Sequence, residues 1–325
     1  MQIATRLTRK FNLSTPIIGA PMAFAAGGKL AGAITRAGGL GMIGGAYGDP
    51  DWLREELRAA DGARVGVGFI TWKLAKNPEV LGQALDAKPA AIFLSFGDVA
   101  PFAQEIHAAK VPLIAQVQTL KDANAAADAG ADVIVAQGAE AGGHGESRAT
   151  MTLVPEVADW LAKKSPDTLL VAAGGVADGR GLAAVLMLGA EGAVMGSRLW
   201  ASDEALVHPN MHRAALAATG DDTIRSSVMD IARKLDWPAR YTASVLKNAF
   251  TERWHDDIAG LLTQAEEQSQ KWREAWAAGD TRVANTFVGQ ATGILNDIRP
   301  AAEIIATISQ EAETLLAQAP NLLEA

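Results

Sequence analysis

Short apolar runs that do not alternate with polar residues recur through the first two-thirds of the chain, at 16–20, 40–43, 65–70, 91–95, 112–117, 132–136, 169–173 and 192–195. A strand with one wet face alternates apolar and polar positions. A run apolar at every position predicts a strand buried on both faces, as in a parallel sheet covered by helices. Between the runs lie alanine-rich stretches that favour helix, at 29–37, 52–60, 78–87, 99–109, 121–129 and 181–188. Strand and helix signals alternating eight times predict an α/β fold, a (β/α)8 TIM barrel within about residues 1–206, with a doubly wound open sheet as the alternative.

After Ala205 the pattern changes. Strand signals vanish, and Trp237, Trp254, Trp272 and Trp276 appear among charged, helical-looking sequence. Residues 207–284 are read as a helical cap subdomain over the barrel mouth, with most of these tryptophans in its own core. The segment from about 285 to 325 is read as completing the barrel, its Ile304, Ile305 and Ile308 forming one helical face that packs back on it.

Composition narrows the chemistry. With 325 residues, 49% hydrophobic and 20% charged, the chain has ample means to bury a core and is not a disordered type. The net charge of −8, without a Lys/Arg-rich run, argues against nucleic acid or an anionic membrane as partner. No stretch approaches the roughly 18 apolar residues needed to span a bilayer. The opening Met-Gln-Ile-Ala-Thr-Arg lacks the order of a signal peptide, so a cytoplasmic protein is expected. Self-association is left open. The chain has no cysteine, which removes thiolate metal sites, iron–sulfur clusters and cysteine nucleophiles together. Redox chemistry here needs a bound organic cofactor.

The most informative motif is Gln137-Gly-Ala-Glu-Ala-Gly-Gly-His144-Gly, directly after the sixth apolar run. It puts a histidine at the tip of a glycine-rich loop, where Gly142 and Gly143 let a flat ligand approach the main chain. An imidazole there can act as base, acid or hydrogen-bond donor near neutral pH. Glu140 is a candidate orienter for it. The seventh run leads into Ala173-Gly-Gly-Val-Ala-Asp-Gly-Arg-Gly181 and the eighth into Met195-Gly-Ser-Arg198. These are the strand positions after which barrels bind phosphate. Gly174, Gly175 and Gly196 can offer backbone N–H groups and Ser197 a hydroxyl, with a helix N-terminus adding partial positive charge. Gly39-Leu-Gly41-Met-Ile-Gly44 matches a dinucleotide fingerprint, but it follows a helix and reads as a strand, the reverse of what the fingerprint requires. No G-x-S-x-G elbow is present. His208 and His212 have helical spacing without an H-E-x-x-H pattern, His107 and His255 sit in helical stretches, and no metal site is expected.

Together with Ala20-Pro-Met-Ala23 after the first run, these motifs resemble the nitronate monooxygenase family, formerly 2-nitropropane dioxygenases, over the whole barrel. The resemblance implies a non-covalent FMN, with Pro21 and Met22 near the flavin and Gly174, Gly175, Gly196 and Ser197 around its phosphate. It implies that Gln116 and Gln137 reach the ring system and that His144 is the active-site histidine. The implied reaction is oxidation of an alkyl nitronate or nitroalkane to a carbonyl compound, with dioxygen as the acceptor. One departure stands out: many members carry an asparagine after the third strand, where this chain reads Gly68-Phe-Ile-Thr-Trp72. The same motifs occur in FMN-dependent enoyl-acyl-carrier-protein reductases and NAD(P)H:quinone reductases, so a nicotinamide-dependent reductase is the alternative activity. A phosphate-ligand-binding barrel without turnover is a third reading.

Overall fold

The computed structural model describes residues 2–45 and 47–322. Eight parallel strands form one sheet: β1 (Ile17–Gly19), β2 (Met42–Gly44), β3 (Gly66–Ile70), β4 (Ile92–Ser95), β5 (Leu113–Val117), β6 (Val133–Gln137), β8 (Leu169–Ala173) and β9 (Ala193–Met195). Each coincides with one of the eight apolar runs. Their spatial order, β1-β9-β8-β6-β5-β4-β3-β2, closes because Gly19 N–H donates to Leu40 O and Leu40 N–H to Ile17 O, joining β1 to the start of β2. The result is a TIM barrel.

The non-alternating runs have a direct physical cause. In β4, Phe93 packs inward with Ile18, Met42, Ile114, Val133 and Val171, while Ile92 and Leu94 pack outward against the helices. Both faces of the strand are dry, so neither calls for polar residues. The lumen is filled with side chains, as expected of an eight-stranded barrel. The helix Arg6–Phe11, which the apolar pattern did not single out, contributes Leu7 and Phe11 to this inner cluster. The helix Thr150–Lys164 between β6 and β8 was likewise absent from the expected helices. The final helix, Ala301–Gln318, buries Ile304, Ile305 and Ile308 in the outer core, as their spacing predicts. Gly179 lies so close to it that an added Cβ would fall 2.2 Å from Glu311 Cβ.

The segment after the barrel is not purely helical. It contains β10 (Thr223–Ser226) and β11 (Thr242–Leu246), an antiparallel pair. β11 also pairs antiparallel with β7 (Gly143–Gly145), aligning Ala243 with His144. His144 therefore lies within a strand, not at a loop tip. The sequences Thr-Ile-Arg-Ser and Thr-Ala-Ser-Val-Leu are short and mostly polar or small, so no apolar run announced them. The third strand, which pairs with β11, comes from the glycine-rich segment about 100 residues upstream.

Candidate active site

A cavity of about 410 Å³ opens at the C-terminal ends of the barrel strands, where barrels of this type carry their chemistry. All eleven residues singled out from the sequence line it: Pro21, Met22, Gln116, Gln137, Gly142, Gly143, His144, Gly174, Gly175, Gly196 and Ser197. The opposite wall comes from the segment after the barrel, including Arg233, Trp237, Trp272 and Trp276.

Pro21 reaches the mouth because Gly68 leaves room for it; a Cβ at 68 would sit 2.3 Å from Pro21 Cβ. Gly174 and Gly175, directly after β8, both adopt left-handed φ angles, +102° and +77°, that side chains disfavour. The N–H groups of Gly175, Gly196 and Ser197 make no backbone hydrogen bond among the described residues. Ser197 Oγ accepts from Gly289 N–H at 3.0 Å and keeps its own proton to donate. Clustered free N–H donors of this kind make a concavity suited to an anion.

Three details differ from the sequence reading. The helix after β8, Gly179–Met187, has its N-terminus already occupied: Asp178 accepts from Gly181 N–H and Glu311 from Gly179 N–H. Its partial charge is spent internally, and any helix contribution falls to the short Ser197–Trp200 turn. Gly142 makes room for the chain itself, since a Cβ there would lie 2.6 Å from the backbone of Val288 and Gly289. Gly143, with φ +69°, has nothing within 4 Å of an added Cβ. Gln137 spends much of its amide on protein: Nε2 donates to His144 O at 3.1 Å and Oε1 accepts from Gln118 at 2.8 Å. Gln116 makes no side-chain hydrogen bond among the described residues, leaving its amide to the cavity.

Glu140 is not the orienter of His144. Its carboxylate accepts from Thr150 N–H, and the single proton of Thr150 Oγ1 can go to either Glu140 or Gly174 O, both within 3.0 Å, so Glu140 and Thr150 brace the loop after β8. The partner of His144 is Asp230, on the helix Val228–Ala232, with His144 Nε2 to Asp230 Oδ2 at 2.9 Å. Both side chains are buried, 7% and 5% exposed. Because a carboxylate only accepts, Nε2 carries the proton, and Nδ1 is left without a partner among the described residues. Trp237 stacks on the imidazole at 3.4 Å between centroids and 6° between planes, and Phe96 meets its edge. Burial pushes the imidazole below its ordinary range. The Asp230 hydrogen bond and charge oppose that shift, whereas Arg233 and Arg225 add to it.

Arg233 is the only lysine or arginine among the described residues lining the cavity. Its guanidinium donates to Tyr47 Oη at 3.1 Å, stands 3.8 Å from Asp230 Oδ1, and lies over the rings of Tyr47, Trp272 and Phe287. Aromatic faces favour a cation without consuming its donors. Nothing in the sequence marked Asp230 or Arg233: an acid and a base three positions apart are ordinary on a helix. The tryptophans also divide differently from expectation. Trp254 and Trp272 are buried in the core of the added segment, but Trp272 also lines the cavity, together with Trp237 and Trp276.

The other histidines make local contacts, though His208 also lines the cavity, and His107 lies 4.0 Å from Asp132. His208 accepts from Asn210 N–H at the start of the helix Pro209–Ala217, His212 contacts Trp200 O, and His255 pairs with Ser226. Among the described residues no cluster of His, Asp and Glu could hold a metal ion. Nor is any described helix long and apolar enough to cross a membrane. Gly39–Gly44 runs into β2 and opens no helix, so it lacks the context of a dinucleotide fingerprint. At the end of β3, Thr71 Oγ1 and Trp72 Nε1 are buried without hydrogen-bond partners, and Ile70 lines the cavity.

Comparison with known proteins agrees with this geometry. The family model for nitronate monooxygenase matches residues 4–65 and 74–311, passing over the third strand and the turn after it. The nitronate monooxygenase of Neurospora crassa is 35% identical, covering 91% of this chain and 89% of that protein. FabK from Thermotoga maritima superposes with a TM-score of 0.87 at 29% identity, covering 99% of this chain and all of that one. Nitroalkane oxidase from Streptomyces ansochromogenes superposes at 0.80 and 25% identity, covering 95% and 99%. With a matching barrel, a histidine-centred cavity at its C-terminal mouth and a family match over nearly its whole length, the chain belongs to the nitronate monooxygenase family of flavin-dependent oxidoreductases.

Proposed function

We propose that the flavin is FMN and that the enzyme oxidises alkyl nitronates or nitroalkanes to carbonyl compounds with dioxygen. The observation that carries this reading is the division of the cavity. One end is a cradle of free N–H groups at Gly175, Gly196 and Ser197, suited to a single phosphate; the other holds His144 with Arg233 nearby. When bound, FMN would supply the electron acceptor that dioxygen re-oxidises. The glycines after β8 and β9 fit its phosphate, Pro21 and Met22 would seat the ring system, and Gln116 would offer its free amide to the ring edge.

The chain's own groups account for the rest. A nitronate is an anion, and Arg233 gives it a cation in a largely dry setting, where charge-assisted bonds are strong. The stacked Trp237 covers one face of His144, so substrate meets the imidazole at its Nδ1 edge. Neutral near pH 7 because burial lowers its proton affinity, His144 can accept the α-proton of a nitroalkane.

Three measurements test the proposal. The purified protein should be yellow and release FMN, not FAD, on denaturation; a colourless protein that FMN cannot reconstitute overturns it. Mixed anaerobically, a nitronate should bleach the flavin and NADPH should not. Bleaching by NADPH alone would assign the nicotinamide-dependent reductase activity instead. Arg233→Met should raise KM for a nitronate by roughly 10–100-fold, the worth of a charged hydrogen bond of about 1.5–3 kcal/mol, with a much smaller effect on neutral nitroalkanes. Equal effects on both substrates would remove Arg233 from anion recognition.

A further inference from the structure

We propose that Asp230 is the positioning residue of His144: by accepting the Nε2 proton it commits Nδ1 to the cavity as the proton-accepting atom and faces the positive charge that develops on the ring. The proposal rests on the reading of His144 as a base. In the step it serves, the nitroalkane Cα–H bond breaks and an Nδ1–H bond forms. The released electron pair moves onto the nitro group, giving the nitronate, and the imidazolium charge lies against the Asp230 carboxylate.

The carboxylate has two neighbours of consequence, His144 by a hydrogen bond and Arg233 by a longer ionic contact, and only the first is close. Asp230 sits within the helix Val228–Ala232, yet among the described residues its side chain caps no backbone group and its one hydrogen bond is to His144. Its other oxygen, Oδ1, is buried without a hydrogen bond and has only the Arg233 guanidinium, 3.8 Å away, as an ionic neighbour. Burying a carboxylate with half of its acceptor capacity unused is costly. An apolar side chain would suit the neighbouring cluster of Val228, Met229 and Ala232 better. The remaining groups around the pair are cationic or neutral: Arg233 at 3.8 Å from Oδ1, Arg225 from β10 within electrostatic reach of the ring, and Tyr47 from the barrel side. Trp237 and Phe96 hold the ring plane, but neither selects which nitrogen is protonated. Only Asp230 does that. A buried carboxylate paired with an imidazole has this effect on tautomer and orientation in hydrolytic triads as well.

The test uses the flavin-loaded enzyme with Asp230→Asn, which keeps the volume, and Asp230→Ala. In nitrogen-15 histidine NMR, with His144→Asn identifying the resonance, the wild-type ring should show the Nε2–H tautomer. In Asp230→Ala that preference should be lost. Because the carboxylate raises the proton affinity of the ring, the acid limb of kcat/KM for a neutral nitroalkane should move to lower pH in both variants. Its plateau should fall between about 10-fold and 10⁴-fold, and nitronate turnover should fall far less. An unchanged tautomer, an unmoved acid limb, or equal losses on the two substrates overturns the proposal; a purely structural role would give the last two. Should wild-type enzyme turn over neither substrate, the proposed activity fails, while the NMR result still decides the role of Asp230.

Discussion

His144→Asn should retain its flavin and lose about 10²–10⁴-fold in kcat/KM on a neutral nitroalkane, the usual worth of a general base. That is roughly 3–5 kcal/mol of barrier at about 1.36 kcal/mol per decade. Asparagine is small enough to fit between Trp237 and Phe96, so the wall of the cavity should persist, although its shorter amide stops short of the Nε2 position that meets Asp230. What it cannot do is accept a proton. A nitronate has already lost its α-proton and should suffer much less. If both substrates fall together, His144 only steadies the anion; unchanged activity on both removes it from the mechanism. The pH profile gives a second check. Burial holds the imidazole below its ordinary value of about 6.5. The base therefore stays neutral as pH falls through that value, and wild-type activity should decline only at lower pH. The acid limb should be missing from the variant's residual activity.

Gly175→Asp should abolish flavin retention. The position has φ +77°, and an added Cβ would lie 3.3 Å from Glu140 Cβ. The new carboxylate would stand beside an existing one, where the phosphate is expected. Like charges brought together cost several kcal/mol, about 10²-fold or more in affinity. Gly175→Asn separates charge from strain, since asparagine tolerates left-handed φ and nearly matches aspartate in size. Flavin content after gel filtration, and the Kd for added FMN, should show the asparagine variant binding clearly better than the aspartate variant. An aspartate variant that keeps its flavin would show that the phosphate lies elsewhere.

The barrel was legible from apolar runs because each strand is dry on both sides. Phe93 faces the lumen while Ile92 and Leu94 face the helices, and no polar residue is called for at any of these positions. The glycine motifs were legible because free backbone donors and tight turns leave a compositional mark. The antiparallel sheet was not. β10 and β11 carry little apolar signal, and the pairing that stabilises them runs to Gly143–Gly145, far away in the chain. Glu140 shares the loop of His144, which made it one candidate orienter beside the reading of a solvated loop carboxylate. Once β7 pairs with β11, the ring is turned toward the helix that bears Asp230, and Glu140 is drawn to Thr150.

By itself, then, the sequence determined the barrel, the end of it that carries chemistry, and the histidine and glycines lining that end. These depend on local periodicity and on residue types whose physical roles are narrow. Only the tertiary structure decided which carboxylate meets His144, which tryptophan covers it and which arginine faces the cavity. Asp230, Trp237 and Arg233 are ordinary residues of a polar, helix-rich segment, and their significance comes from a docking geometry that brings residues 86 positions apart to within 2.9 Å.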